Sequence, residues 1–367
     1  MNYDAFSHQI FDICLRLRQG ERVWIDSWDH TVDLASHLAW ECRKRGFETL
    51  LTLQPEELWL RSVQEGPLEL LDRLTPQQAA ALGATNAYIF TLGPRSPVPW
   101  ERIPVERRGS VTLWFLEQNR FVGEWKRIST GRKVKMLGIE ATLATPERAR
   151  SLGLDFEAWK AIMYAGCMAD YNQVAGRGTK LAHVMGGDEK VRITTPQGTD
   201  LTFKLDDRPV QVSDGIVTEE KARVGEVVFL PAGDVEVSAD EESAEGKVVY
   251  DVPVYSRNGP VRSLSIRVVH GRIVEYTASY GSDVFKKHVD SGRDADRFAF
   301  FGFGLNPNLR HGFTQDDKVL GGVTVGFGDN EAKGGRNRAD QDWWGSMTQA
   351  TVEINGQVVM KDGNLLG

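Results

Sequence analysis

The chain changes texture once, at Gly186-Gly187, and that change constrains its fold more than any single motif. Before it, short apolar runs alternate with amphipathic ones. Arg22-Val-Trp-Ile25 reads as a strand that ends at polar Asp26 and Ser27. Val32, Ala35, Ala39 and Cys42 then recur at three- and four-residue steps, one face of a helix that stops at Gly46. Strands over Thr49 to Leu53, Ala87 to Leu92, Val111 to Leu116 and Val134 to Ile139 continue the series, with a helix from Pro76 to Leu82 among them. Such alternation predicts a parallel sheet flanked by helices. Thr145-Pro-Glu147 puts proline in the first turn of a helix, and two helices are expected from there towards Leu181.

Beyond Gly187 the runs become short, alternate with period two, and are separated by Gly, Asp or Asn. Lys190 to Thr195, Thr199 to Leu205, Val227 to Leu230, Lys247 to Val254, Val261 to Val269, Arg272 to Ala278, Val319 to Phe327 and Ala350 to Val359 read as strands, and Ser282 to Asp290 as a helix. Asn258-Gly-Pro260 and His270-Gly271 read as hairpin turns. The acidic run from Asp234 to Glu245 reads as a solvated hairpin loop. The expectation is an α/β chain of two domains, with a parallel-sheet α/β domain over 1–186 and a β-rich α+β domain over 187–367.

Composition removes several function classes. Lys and Arg total 44 against 51 Asp and Glu, a formal charge of −7 with no basic tract. Neither nucleic acid nor an anionic membrane is expected as a partner. The first twenty residues carry acidic and polar groups where a signal peptide needs an apolar core, and no run is long and apolar enough to span a bilayer. Cys14, Cys42 and Cys167 are odd in number and widely spaced, so buried thiols in a reducing, cytoplasmic compartment are expected.

Several blocks in the second half carry a resemblance. Val191-Arg-Ile-Thr-Thr-Pro-Gln-Gly-Thr-Asp-Leu-Thr-Phe203 closely resembles a signature strand pair of the thermophilic-type metallo-aminopeptidases, the aminopeptidase T family. So do Gly225-Glu-Val-Val-Phe-Leu-Pro231, Phe303-Gly-Leu-Asn-Pro307, Lys318-Val-Leu-Gly321, Gly334-Gly-Arg-Asn337 and Trp343-Trp-Gly345, in matching order and rough spacing. The first domain shares looser traces, Gly20-Glu-Arg-Val23 and Leu152-Gly-Leu-Asp155.

The resemblance implies a two-domain enzyme that dimerises and holds two metal ions in a cleft of its C-terminal domain, by carboxylates and imidazoles. Carried over position by position, the first ligand is Glu226, which is intact. The second, a glutamate, falls on Phe300, and the third, a histidine, on Thr324. A catalytic tyrosine falls on Glu331, and the closing His-x-Asp pair on Asp342 and Trp344. Aromatic rings do not ligate zinc and threonine is a poor ligand. Peptidase chemistry is therefore not expected, nor any metal or other cofactor. A related branch of the same fold, a mononuclear iron dioxygenase that opens dihydroxypyridine rings, meets the same objection, because none of the seven histidines lies after His311. The rival is a working metalloenzyme, aminopeptidase or dioxygenase, with a ligand set rebuilt from His311, Glu226 and Asp342.

Other motifs add little chemistry. Gly302-Phe-Gly304 and Gly326-Phe-Gly328 are not followed by helices, so neither is a dinucleotide loop; tight turns and close backbone approach are expected there. No Gly-x-Ser-x-Gly elbow is present. Acid–base roles for Glu226, Glu331 or Asp342 stay open, since burial beside Phe300, Trp343 and Trp344 would raise a carboxyl pKa. The expectation is a pseudoenzyme that binds a peptide or peptide-derived ligand in the former cleft through Glu226, Phe300, Thr324, Glu331, Asp342, Trp343 and Trp344. It would present a precursor peptide to a modifying enzyme in a peptide natural-product pathway, as a homodimer formed largely by the second domain.

Overall fold

Apolar runs in the first half collect into a parallel sheet. In the computed structural model, which describes residues 2–108, 120–256 and 259–366, β1 (Arg22–Trp28), β2 (Glu48–Gln54), β3 (Ala87–Thr91) and β4 (Lys135–Ile139) lie side by side with a fifth strand, Val227–Leu230, β8 in chain order. The order is β2-β1-β3-β4-β8 and every pairing is parallel. Val111 to Leu116 and Asn258, read above as a strand and part of a turn, lie outside the described residues. The helix Val32–Lys44 buries Leu34, Ala35, Leu38, Ala39 and Cys42, and ends before Gly46, whose φ of 79° an L side chain rarely adopts. Trp24, Tyr88, Phe90, Trp125 and Met136 pack into one cluster of this unit's core.

The remaining strands are antiparallel. An eight-stranded sheet runs β14-β13-β10-β6-β5-β18-β19-β20. Its members are β5 (Lys190–Thr194), β6 (Asp200–Lys204), β10 (Glu245–Tyr250), β13 (Leu264–Val269), β14 (Arg272–Thr277), β18 (Thr351–Ile354), β19 (Gln357–Lys361) and β20 (Asn364–Leu365). The segment read as one strand from Ala350 to Val359 is a hairpin, because Asn355 and Gly356 both take positive φ. His270 and Gly271, also at positive φ, make the expected turn between β13 and β14. A five-stranded sheet runs β17-β16-β15-β9-β7, from β7 (Gln211–Ser213), β9 (Asp234–Ser238), β15 (Phe298–Gly304), β16 (Val323–Gly328) and β17 (Asp342–Met347). A ribbon of β11 (Val254–Ser256) and β12 (Gly259–Val261) completes the set.

The division into two compact units is not the single cut at Gly186 expected from the sequence. The first unit comprises Met1–Ser151, Asp155–Lys160 and Gly215–Pro231; the second comprises Leu152–Leu154, Ala161–Asp214 and Ala232–Gly367. The chain returns to the parallel sheet because Val227–Leu230 pairs along β4, from Met136 with Val227 to Ile139 with Leu230. That strand was expected in the β-rich domain. Three helices, Pro146–Leu152, Phe156–Cys167 and Tyr171–Met185, fill the stretch where two were expected. All three cysteines are buried free thiols, and no helix among the described residues is long and apolar enough to cross a membrane.

Candidate functional site

Strand alternation sorts the five-stranded sheet into two unlike faces. Val235, Val237, Phe301, Phe303, Val323, Val325 and Phe327 are buried on one. The opposite face can be read off the cross-strand register. One row holds Trp344, Gly326, Phe300 and Ser238; the next holds Ser346, Thr324, Gly302 and Glu236; Asp342 lies opposite Gly328, and Gly304 opposite Asp234. Four of the residues singled out by sequence, Phe300, Thr324, Asp342 and Trp344, thus share one face. Trp343 alternates to the other, where it packs against Phe285 and His288 at centroid distances of 5.1 and 5.5 Å.

The other two candidates are not on this sheet. Glu226 belongs to the first unit, where its carboxylate is half exposed and 3.5 Å from Lys221 Nζ. Glu331 is exposed and pairs with Arg338. His311 lies 3.7 Å from Asp316, whose carboxylate accepts the Gly312 N–H at 2.7 Å. Among the described residues neither group of three or more metal-binding side chains contains Glu226, His311 or Asp342.

The glycines of this face work by close approach within strands rather than in turns. A Cβ on Gly326 would lie 2.2 Å from Phe300 Cε1, so the bare backbone of β16 makes room for the ring. A Cβ on Gly302 would meet Val235 O at 2.6 Å. Thr324 and Ser346 bond through their hydroxyls at 2.9 Å and are buried, leaving neither exposed as a ligand.

The charged part of the face was missed by sequence reasoning. Asp234–Ser238 is no solvated loop but an inner strand, its Val235 and Val237 in the core and Asp234 and Glu236 on the opposite side. The alternation Asp-Val-Glu-Val-Ser was the available signal. Ligating atoms of Asp234, Glu236 and Asp317 lie within 4.8 Å of one another. Two cations answer them. Lys333 Nζ donates to Glu236 Oε2 at 2.7 Å and stands 4.4 Å above the Phe300 ring. Lys318 Nζ donates to Asp317 Oδ2 at 3.2 Å.

Burial sets the protonation of this cluster. It raises the Asp234 carboxyl to about 8, with Lys318 opposing and Glu236 and Asp317 adding to the rise. Asp342, part of which reaches solvent, is also raised by the protein around its carboxyl, against the pull of Lys333. For Lys333 burial works against the charge, but Glu236, Asp342 and Asp234 outweigh it and the pKa rises.

A buried clamp aims Lys333. Asn330 donates to Glu241 Oε1 at 3.1 Å and to Ala299 O at 3.0 Å, and its Oδ1 accepts the Asn337 N–H at 2.9 Å. A Cβ on Gly335 would strike the Asn330 side chain at 2.0 Å. Glu241, inside the supposed acidic loop, is buried and takes a bidentate pair from Arg208 at 2.6 and 2.7 Å. Burial pushes its pKa up, yet Arg208, the Arg336 N–H and Asn330 hold it at about 2.

Next to this face, a cavity of about 260 Å³ runs along β17. Tyr255, Phe313, Asp316, Asp342, Trp343 and Trp344 are among its lining residues. Among the described residues no strand pairs with the outer edge of β17.

The whole chain is similar in fold to two solved structures. AmpT from Thermus thermophilus matches with a TM-score of 0.69 and 17% identity, over 100% of this chain and 99% of that one. The 2,5-dihydroxypyridine dioxygenase from Pseudomonas putida KT2440 matches with a TM-score of 0.64 and 13% identity, over 100% and 96%. The expected aminopeptidase T architecture is therefore present. No curated protein sequence matches. The model of the NicX family, described as 2,5-dihydroxypyridine 5,6-dioxygenase, matches residues 168–367, more than half of the length; the chain belongs to the NicX family.

Proposed function

We propose that the chain is a metal-independent peptide-binding protein, using the carboxylate- and aromatic-bearing face of the five-stranded sheet and the cavity beside it. The observation that carries this reading is the cavity along the unpaired edge of β17, lined by Trp343, Trp344, Tyr255 and Phe313 with Asp342 and Asp316 among them. An extended peptide recognises such an edge through its main chain, and pockets for alternate side chains supply selectivity. The carboxylates suit its ammonium terminus. Presentation of a bound precursor to a modifying enzyme, and a homodimer built on the second unit, belong to the same reading.

The family match favours a second reading, ring cleavage at a non-haem iron. That chemistry uses two histidines and a carboxylate with open positions, and the histidines that follow β5 in the second unit do not fit it; a further group, Asp4, His37 and Glu41 in the first unit, offers only one histidine. His270 is at an exposed turn paired with Glu245, His288 is buried between Phe285 and Trp343, and His311 leans on Asp316. The carboxylate cluster of the second unit contains no histidine. Its all-oxygen donors suit a hard ion such as magnesium or calcium instead.

Titration settles between the readings. A hexapeptide with N-terminal leucine, added in free and N-acetylated forms with chelator present, is expected to change tryptophan fluorescence saturably, the free form binding more tightly. Trp344→Ala and Asp342→Asn should each weaken it about tenfold, or ~1.4 kcal/mol. Absence of peptide binding, together with oxygen uptake on 2,5-dihydroxypyridine by iron-loaded protein, would overturn the proposal.

A further inference from the structure

We infer that Lys333 is the resident cation of this sheet face: its ammonium takes the place of a divalent ion and denies the carboxylates one. The inference rests on the metal-independent reading above and explains how a site of this fold is kept free of metal.

The geometry carries it. Asp234, Glu236 and Asp317 bring oxygen atoms within 4.8 Å of one another, a spacing that one hard cation could bridge. Lys333 Nζ is already there, 2.7 Å from Glu236 Oε2. On its other side the ammonium meets an aromatic face, Phe300 at 4.4 Å. A ring attracts a cation through its quadrupole but offers no lone pair, so it can hold an ammonium and cannot complete a coordination shell. Phe300 itself is seated by Gly326, and Lys333 by the glycine-flanked turn that Asn330 and Glu241 fix. Lys318 adds a second ammonium at Asp317. With the Asp234 carboxyl holding its proton near neutrality, Lys333 and Lys318 pair with the two carboxylates that would otherwise draw an ion.

Two consequences separate an ammonium from a metal. It supplies fixed positive charge and hydrogen-bond donors, but no open coordination position at which water or oxygen could be activated. It is also covalently part of the chain, so chelators do not remove it. Ligands are then recognised against a constant charge pattern whatever the metal supply.

The test is Mn²⁺ binding, followed by the loss of the free-ion EPR signal, in the wild type and in Lys333→Met, which keeps most of the apolar stem. The wild type is expected to take up no stoichiometric Mn²⁺ below about 1 mM, the weak end of oxygen-ligand sites. Lys333→Met is expected to gain one site at least tenfold tighter, lost again in Lys333→Met/Glu236→Gln. Lys333→Arg, which keeps the charge, should exclude Mn²⁺ as the wild type does, and circular dichroism confirms that each variant is folded. Equal Mn²⁺ affinity in wild type and Lys333→Met, whether tight or absent, would overturn the inference. Peptide titration in chelator reports separately on the proposed function, so the two can fail independently.

Discussion

Phe300 and Gly326 form a single packing unit across β15 and β16, and their coupling is measurable. A methyl on Gly326 would come 2.2 Å from Cε1 and 2.5 Å from Cζ of the ring, well inside contact distance, and the ring is buried with little space to retreat. Gly326→Ala is therefore expected to cost about 1–3 kcal/mol by overpacking. Adding Phe300→Leu removes the clash, so the double variant should lose less than the sum of the two single losses. Urea unfolding of the four proteins gives the coupling, and strictly additive values would sink the packing argument. The sequence revealed that Phe300 stands where the aminopeptidase T resemblance implies a glutamate. It gave no sign of the cation above the ring, because Lys333 is distant along the chain and reaches it through a turn shaped by Asn330 and Gly335.

At the scale of elements, β8 and β9 mark what was legible. The alternation of strands and helices in the first half predicts a parallel sheet, and a parallel sheet forms. Val227–Leu230 was recognisable as a strand, but its sheet was not, since four apolar residues fit equally well beside β4 or inside an antiparallel sheet. Asp234–Ser238 was hidden by its charge. Its two buried valines are as regular as those of any inner strand, yet two carboxylates in five residues read as solvated surface. What makes such a strand tolerable is the set of cations and the clamp built around it. Arg208 and Glu241 form the buried core of that clamp, with side chains 6% and 4% exposed. Arg208→Met leaves Glu241 charged and buried, and is expected to destabilise the fold by about 3–5 kcal/mol. Arg208→Met/Glu241→Met, which removes both charges, should recover most of that loss. Thermal or urea unfolding decides; a double variant no more stable than the single would show that the clamp acts through something other than unpaired charge.

Across the whole chain, desolvation shifts two groups of the second unit in opposition, and this shapes its stability against pH. His288 is almost fully buried beside Phe285 and Trp343, and burial pushes its pKa down to about 4, with the Ala295 carbonyl opposing. Its unfolded value is near 6.5, so between the two the unfolded chain binds the extra proton. The contribution of His288 is fully present above pH 6.5 and is lost as pH falls towards 4. Asp234 runs the other way. Raised to about 8 from 3.8, it holds its proton in the folded state over the same window, so its contribution is lost as pH rises. The two slopes nearly cancel, and a wild-type profile that is flat between pH 4.5 and 6.5 would conceal both. Substitution separates them. His288→Leu removes the first slope, and its stability relative to wild type should be about 2 kcal/mol more favourable at pH 5 than at pH 7.5. Asp234→Asn removes the second and should leave a profile that climbs with pH through the same interval. The measurement is the urea midpoint of the transition that carries the Trp343 signal, followed from pH 4.5 to 8. Parallel curves for wild type and His288→Leu would mean that the buried imidazole finds, in the folded state, a partner for its charge that its aromatic surroundings do not supply.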